Sequence, residues 1–103
     1  MIDLPEIPSF KLTGKKALVV GASSGIGLAS ACALASEGAS VTLASRRSKD
    51  LEKISNEMSL KGWVSNCLEM DISDIESTKT LVRDNGPFDI LVNSAGLARH
   101  SKM

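Results

Sequence analysis

Short apolar runs alternate along the chain with longer segments of helical spacing. Ala17-Leu18-Val19-Val20 is the first run, and its unbroken apolar character predicts a strand over about 16–21, of the parallel kind buried on both faces. A helix is predicted from about Gly25 to Glu37, stopped by Gly38. Its alanines, Ala29, Ala31, Ala33 and Ala35, make it slim enough to lie close against a sheet. Val41, Thr42 and Leu43 centre a second strand over Ser40 to Ala44. Ser48 is placed to cap a second helix, in which Leu51, Ile54 and Met58 share one face. Glu57 and Lys61 are spaced to pair on its solvent side, and Gly62 ends it.

Residues 63–70 read as a third strand, interrupted by Asn66 and Glu69. Ser73-Asp74-Ile75-Glu76 has the form of a capping box, with the Ser73 oxygen taking the Glu76 N–H. The third helix then runs to about Asp84 with Ile75, Leu81 and Val82 inward, and Asn85-Gly86-Pro87 terminates it. Asp89 to Asn93 is the fourth strand, apolar at Ile90-Leu91-Val92. Ahead of all this, residues 1–14 form an arm in which Pro5 and Pro8 disfavour pairing and Thr13-Gly14 makes a turn. The order β-α-β-α-β-α-β with short connections implies right-handed crossovers and a parallel sheet covered by helices. Such a sheet takes ligands beyond the carboxyl ends of its strands. All four ends here carry special residues: Gly21, Ser45-Arg46-Arg47, Asp71-Ile72 and Asn93-Ser94-Ala95-Gly96.

Composition removes several alternatives. The chain has 103 residues, enough for one modest domain. Twelve basic and 12 acidic residues cancel, so nothing favours a nucleic acid or a membrane surface as partner. Aromatic residues are scarce and tyrosine is absent. Residues 17–36 carry no charge over a membrane-spanning length, but Gly21, Ser23, Ser24, Gly25 and Gly27 break the run into strand and helix. Asp3, Glu6 and two prolines argue against a signal peptide. Cys32 and Cys67 read as buried free thiols in a reducing cytoplasm. No metal spacing is visible, and His100 reads as a solvated side chain.

The chemistry begins at Gly21-Ala22-Ser23-Ser24-Gly25-Ile26-Gly27. A glycine turn between strand and helix lets backbone approach a ligand, and the helix presents free N–H groups to an anion. The spacing is G-x-x-x-G-x-G, and no Lys-Ser/Thr pair follows it as in a P-loop. Past the second strand, many NAD-binding folds carry an acidic residue on the ribose hydroxyls. Arg46 and Arg47 stand there instead, with no carboxylate until Asp50. A guanidinium pairs with a 2′-phosphate where a carboxylate would repel it, so the reading is NADP(H), with NAD(H) left open. Arg46 is nearer the strand end. Asp71 can accept from an adenine amine and the Ile72 N–H can donate nearby. Small residues after the fourth strand let backbone run close to a cofactor.

Together these segments resemble the short-chain dehydrogenase/reductase family over nearly the whole chain. Val20 stands where the family usually has Thr, and Ser94 replaces the second Asn of its Asn-Asn-Ala-Gly motif. The resemblance implies an α/β Rossmann-type parallel sheet with helices on both faces, incomplete after the fourth strand. It implies that Ser23, Ser24 and the Ile26 amide touch the phosphates, with Ser23 joining the arginine at the 2′-phosphate. It places Asp71 at the adenine and Asn93, Ala95 and Gly96 at the adenosine ribose. Residues 15–103 would then be the first part of one dinucleotide-binding domain. The family's catalytic Tyr-x-x-x-Lys is missing, so no catalytic residue is assigned, and Asn93 is not the catalytic asparagine. The expected parent is an NADP(H)-dependent oxidoreductase of a small carbonyl or alcohol, cytoplasmic and a dimer or tetramer. The alternative is a dinucleotide-binding fragment or sensor without turnover. Sugar-nucleotide epimerases of the same superfamily fit less well, because their glycine spacing usually differs.

Overall fold

The computed structural model describes residues 11–94. Most of the arm, together with Ala95, Gly96 and His100, lies outside them. The elements follow the predicted order: β1 (Lys16–Val20), α1 (Gly25–Ser36), β2 (Ser40–Ser45), α2 (Ser48–Leu60), β3 (Ser65–Glu69), α3 (Ile75–Asn85) and β4 (Ile90–Asn93). The four strands are parallel and ordered β3-β2-β1-β4. The chain steps outward from β1 to β3, then crosses back to place β4 on the other side of β1. The Thr13-Gly14 turn is present, closed by the Lys15 N–H on the Leu12 carbonyl at 2.9 Å.

Alternation along β1 and β2 divides the core between the two faces of the sheet. Ala17, Val19, Val41 and Leu43 meet Ala31 and Ala35 of α1 and Leu51 and Met58 of α2. Leu18, Val20 and Ala44 face the other way, toward Leu81 and Val82 of α3 and Phe88. Helices therefore cover both faces, as a Rossmann-type fold requires. β1 and β2 are buried almost throughout because each is flanked by a strand on both sides and by helices above or below. The β4 approach is pinned by Asp89, whose Oδ2 accepts from the Lys16 N–H at 2.9 Å.

Five local expectations are corrected. Ser48 is the first residue of α2; Arg47 is its N-cap, with no side-chain cap bond. Ser73 does not cap α3. Its hydroxyl donates to Asp71 Oδ1 at 2.7 Å, while Asp74 is the N-cap and accepts from the Ser77 N–H at 3.1 Å. A carboxylate is the stronger acceptor, and Asp71 has already captured the serine. Ile75 is 63% exposed, outside the apolar cluster that Leu81 and Val82 of the same helix join. Glu57 and Lys61 form no ion pair among the described residues; the Lys61 ammonium lies 5.6 Å from the Trp63 ring centroid instead. Cys67 is exposed, since β3 is an edge strand, and Cys32 is half-buried; both thiols are free.

Candidate functional site

The strand order reverses beside β1, and a cleft of about 850 Å³ opens there at the carboxyl ends. Its wall includes Gly21, Ser23, Ser24, Gly25 and Ile26 from the β1–α1 turn, Arg46 and Arg47 past β2, and Asp71 and Ile72 past β3. Nine residues singled out by sequence thus converge on one cavity. Gly27 and Asn93 do not line it. Gly27 is buried behind the turn, and Asn93 ends β4 in register with Val20.

The turn owes its shape to glycine. Gly21 (φ 80°) and Gly25 (φ 58°) sit in the left-handed region, where a side chain would be strained. The Gly21 and Ala22 N–H groups both donate to the Ala44 carbonyl, at 2.8 and 3.2 Å, which ties the turn to the end of β2. Gly27 serves a different need. A Cβ there would overlap the Gly21 carbonyl oxygen and Ser94 Oγ, and would lie 2.7 Å from the Gly21 carbonyl carbon. The glycine lets α1 begin directly against the turn.

The α1 N-terminus is left electrostatically open. Its N-cap Ser24 makes no side-chain cap bond, and no acidic residue occupies the first turn. By contrast, α2 carries Asp50 in its first turn, and α3 has both the Asp74 cap and Glu76. The first N–H groups of α1 have no intrahelical acceptor, and Ser24, Gly25 and Ile26 at this positive end of the helix dipole line the cleft. Arg46 and Arg47 are exposed and make no ion pair among the described residues. Asp71 is oriented by Ser73, whose N–H and hydroxyl donate to Oδ1 at 3.0 and 2.7 Å. The cleft thus combines helix N–H donors and two cations with one carboxylate at the β3 side. That set suits a ligand anionic at one end and carrying a hydrogen-bond donor at the other. Among the described residues no cluster of metal-ligating side chains occurs, and no helix is long and apolar enough to cross a membrane.

Ser45 and Ser94, marked in the sequence as strand-end residues but given no ligand role, Ser73, read only as a cap, and Met70, not singled out, also line the cleft. Ser94 Oγ lies 3.0 Å from the Val20 carbonyl oxygen and 3.2 Å from that of Gly21, so its one proton is shared between them. It fastens β4 to the glycine turn across the point of reversal. Position at a strand end was the available signal for Ser45 and Ser94. Ser73 was hidden by its apparent fitness as a cap.

The sequence pattern of the short chain dehydrogenase family matches residues 15–103. The chain belongs to that family. It is 38% identical over 98 residues to gluconate 5-dehydrogenase of Gluconobacter oxydans, covering 91% of this chain and 38% of that enzyme. Among solved structures, it resembles a 3-oxoacyl (acyl-carrier-protein) reductase of Agrobacterium tumefaciens with NADP bound, at 34% identity and a TM-score of 0.77. That match covers 84% of this chain and 34% of the reductase. A gluconate 5-dehydrogenase of Burkholderia cenocepacia, in complex with NADP and tartrate, matches at 28% identity and a TM-score of 0.73, over 85% of this chain and 36% of the enzyme. The chain therefore spans little more than a third of the length of these relatives.

Proposed function

We propose that this chain forms the cofactor-binding part of an NADP(H)-dependent oxidoreductase that moves hydride between nicotinamide and a carbonyl or alcohol substrate. One observation carries the reading: the uncapped α1 N-terminus and two arginines without ion-pair partners among the described residues face one cleft where the strand order reverses. The α1 N–H groups, with Ser23 and Ser24, would hold the phosphates, and Arg46, flanked by Arg47, the 2′-phosphate. Asp71 and the Ile72 N–H would hold the adenine. The bound cofactor would supply or accept the hydride. Two relatives with NADP in their structures support the same assignment. Free thiols at Cys32 and Cys67 are consistent with a reducing compartment such as the cytoplasm.

The chain holds no tyrosine, so the tyrosine general acid or base expected from the family resemblance is not among these residues. Binding without turnover is accordingly expected of the chain by itself. Calorimetric titration with NADPH, NADH and ATP tests the proposal, with NADPH expected to bind most tightly. Arg46→Asp should weaken NADPH relative to NADH by about 1–3 kcal/mol, through lost charge-assisted hydrogen bonds and added repulsion. Equal affinities in the unmodified chain, or a preference indifferent to Arg46→Asp, would remove Arg46 from the site.

A further inference from the structure

A second hollow, of about 280 Å³, lies between α1 and α2 and shares no lining residue with the cofactor cleft. Both helices rest on β2, and α1 is built largely of Gly, Ala and Ser, so a groove is left where two bulkier helices would meet. Leu28 and Cys32, one turn apart, form the α1 wall, and Ile54 and Met58, one turn apart, form the α2 wall. Trp63 adds an aromatic ring, and its N–H donates to the Met58 carbonyl at 3.0 Å, which fixes its backbone against the end of α2. Met58 is buried, but the other four are only half-buried, so apolar surface stays open in the groove. The polar part of the lining is Lys53, Glu57 and Lys61, spaced four apart and all exposed. That spacing favours ion pairs, yet none forms among the described residues, and the Lys61 ammonium lies 5.6 Å from the Trp63 ring centroid. Two cations against one carboxylate leave the rim net positive.

We propose that this groove binds a medium-chain carboxylate, with the alkyl chain between α1 and α2 against Trp63 and the carboxylate at the lysine rim. The walls offer a thiol and a thioether as their only polar side-chain atoms, both weak partners, so the inserted part of the ligand must be hydrocarbon. The rim selects a negative head. The volume sits at the small end of the range for small-molecule sites, about 300–1,000 Å³, which suits one short chain and not a segment of another protein. The inference stands apart from the NADP(H) reading, because the two sites share no residue.

Trp63 is the one tryptophan of the chain, so its fluorescence reports on this groove directly. The test titrates the full 103-residue chain with octanoate, octanol and octylamine, and with carboxylates from butyrate to dodecanoate. Octanoate should shift the emission saturably and bind more tightly than octanol, with octylamine weakest. Affinity should rise about threefold per added methylene and level off once the chain outgrows the groove. Lys53→Gln and Lys61→Gln lie at exposed positions that folding tolerates; each should weaken octanoate about two- to fivefold, and Glu57→Gln should tighten it about twofold. Octanoate should also slow alkylation of Cys32 by iodoacetamide while leaving Cys67, which does not line the groove, unchanged. No saturable shift, or equal binding of the three head groups, would overturn the proposal. So would displacement of octanoate by NADPH, which would place the carboxylate in the cofactor cleft. Cys32 that resists alkylation before octanoate is added, or that becomes protected as the chain is concentrated, would mean that polypeptide covers the groove, and would overturn it as well.

Discussion

At the scale of single residues, the three glycines of the turn were legible as a group but not as individuals. Their spacing marked a phosphate-binding turn, yet Gly21 and Gly25 answer to backbone dihedral and Gly27 to close packing. Spacing carries no record of what lies opposite a missing Cβ. The distinction yields a prediction whose sign is decided by magnitude. Gly27→Ala gains about 1 kcal/mol of helix propensity. Against this, the new methyl group meets the Gly21 backbone carbonyl, which cannot swing aside as a flexible side chain would. Overpacking of this kind costs about 1–3 kcal/mol, so the variant should be less stable. Urea unfolding followed by circular dichroism measures the difference; an unchanged or raised midpoint would show that the turn yields. Cys67 marks another residue-scale limit. Its apolar-strand setting suggested burial, but edge position exposes the residue while partial burial of the sulfur still raises the thiol pKa.

At the scale of elements, all seven helices and strands were legible, because continuous apolar runs and i, i+3, i+7 spacing report burial directly. The start of α1 at Gly25 was legible too, but the caps of α2 and α3 were not. Around α3, Asp71, Ser73 and Asp74 all offer acceptors within four positions, and sequence alone cannot say which oxygen a given N–H will reach. The outcome assigns Asp71 to Ser73 and Asp74 to the helix. Asp74→Ala should therefore destabilise the chain by about 1 kcal/mol through loss of the cap and of its favourable charge at the helix dipole. Ser73→Ala should leave α3 intact and instead loosen Asp71 at the cleft. Thermal melts of the two variants, paired with NADPH titrations, separate the effects: stability should fall for Asp74→Ala and affinity for Ser73→Ala. The reverse pairing would reinstate the Ser73 cap. At α2, the Lys61 ammonium over Trp63 shows the same limit, since an i, i+4 charge pair competes with partners that sequence spacing does not display.

At the scale of the molecule, β4 lying beside β1 creates the cleft and also leaves a weak flank. Leu91 pairs in register with Leu18 and points to the same face of the sheet. Leu18 is fully buried, whereas Leu91 is 67% exposed. The difference arises because α3 shields the β1–β2 side of that face, and no residue of α3 is itself buried. The opposite border of the sheet, β3, carries Asn66 and Glu69, which discourage pairing with another chain; Ile90-Leu91-Val92 offers no such protection. Covering the exposed part of Leu91 is worth about 1–2 kcal/mol, and a strand edge adds unpaired backbone groups to that attraction. The relatives are about three times as long as this chain, so in them further polypeptide is available to cover this flank. The 103-residue chain by itself should accordingly self-associate with rising concentration, and Leu91→Lys should shift the distribution toward monomer. Sedimentation velocity across a hundredfold concentration range reads this out. A monodisperse species that melts in one cooperative transition, with or without the lysine, would mean that the sheet is complete at β4 and that its apolar border needs no cover.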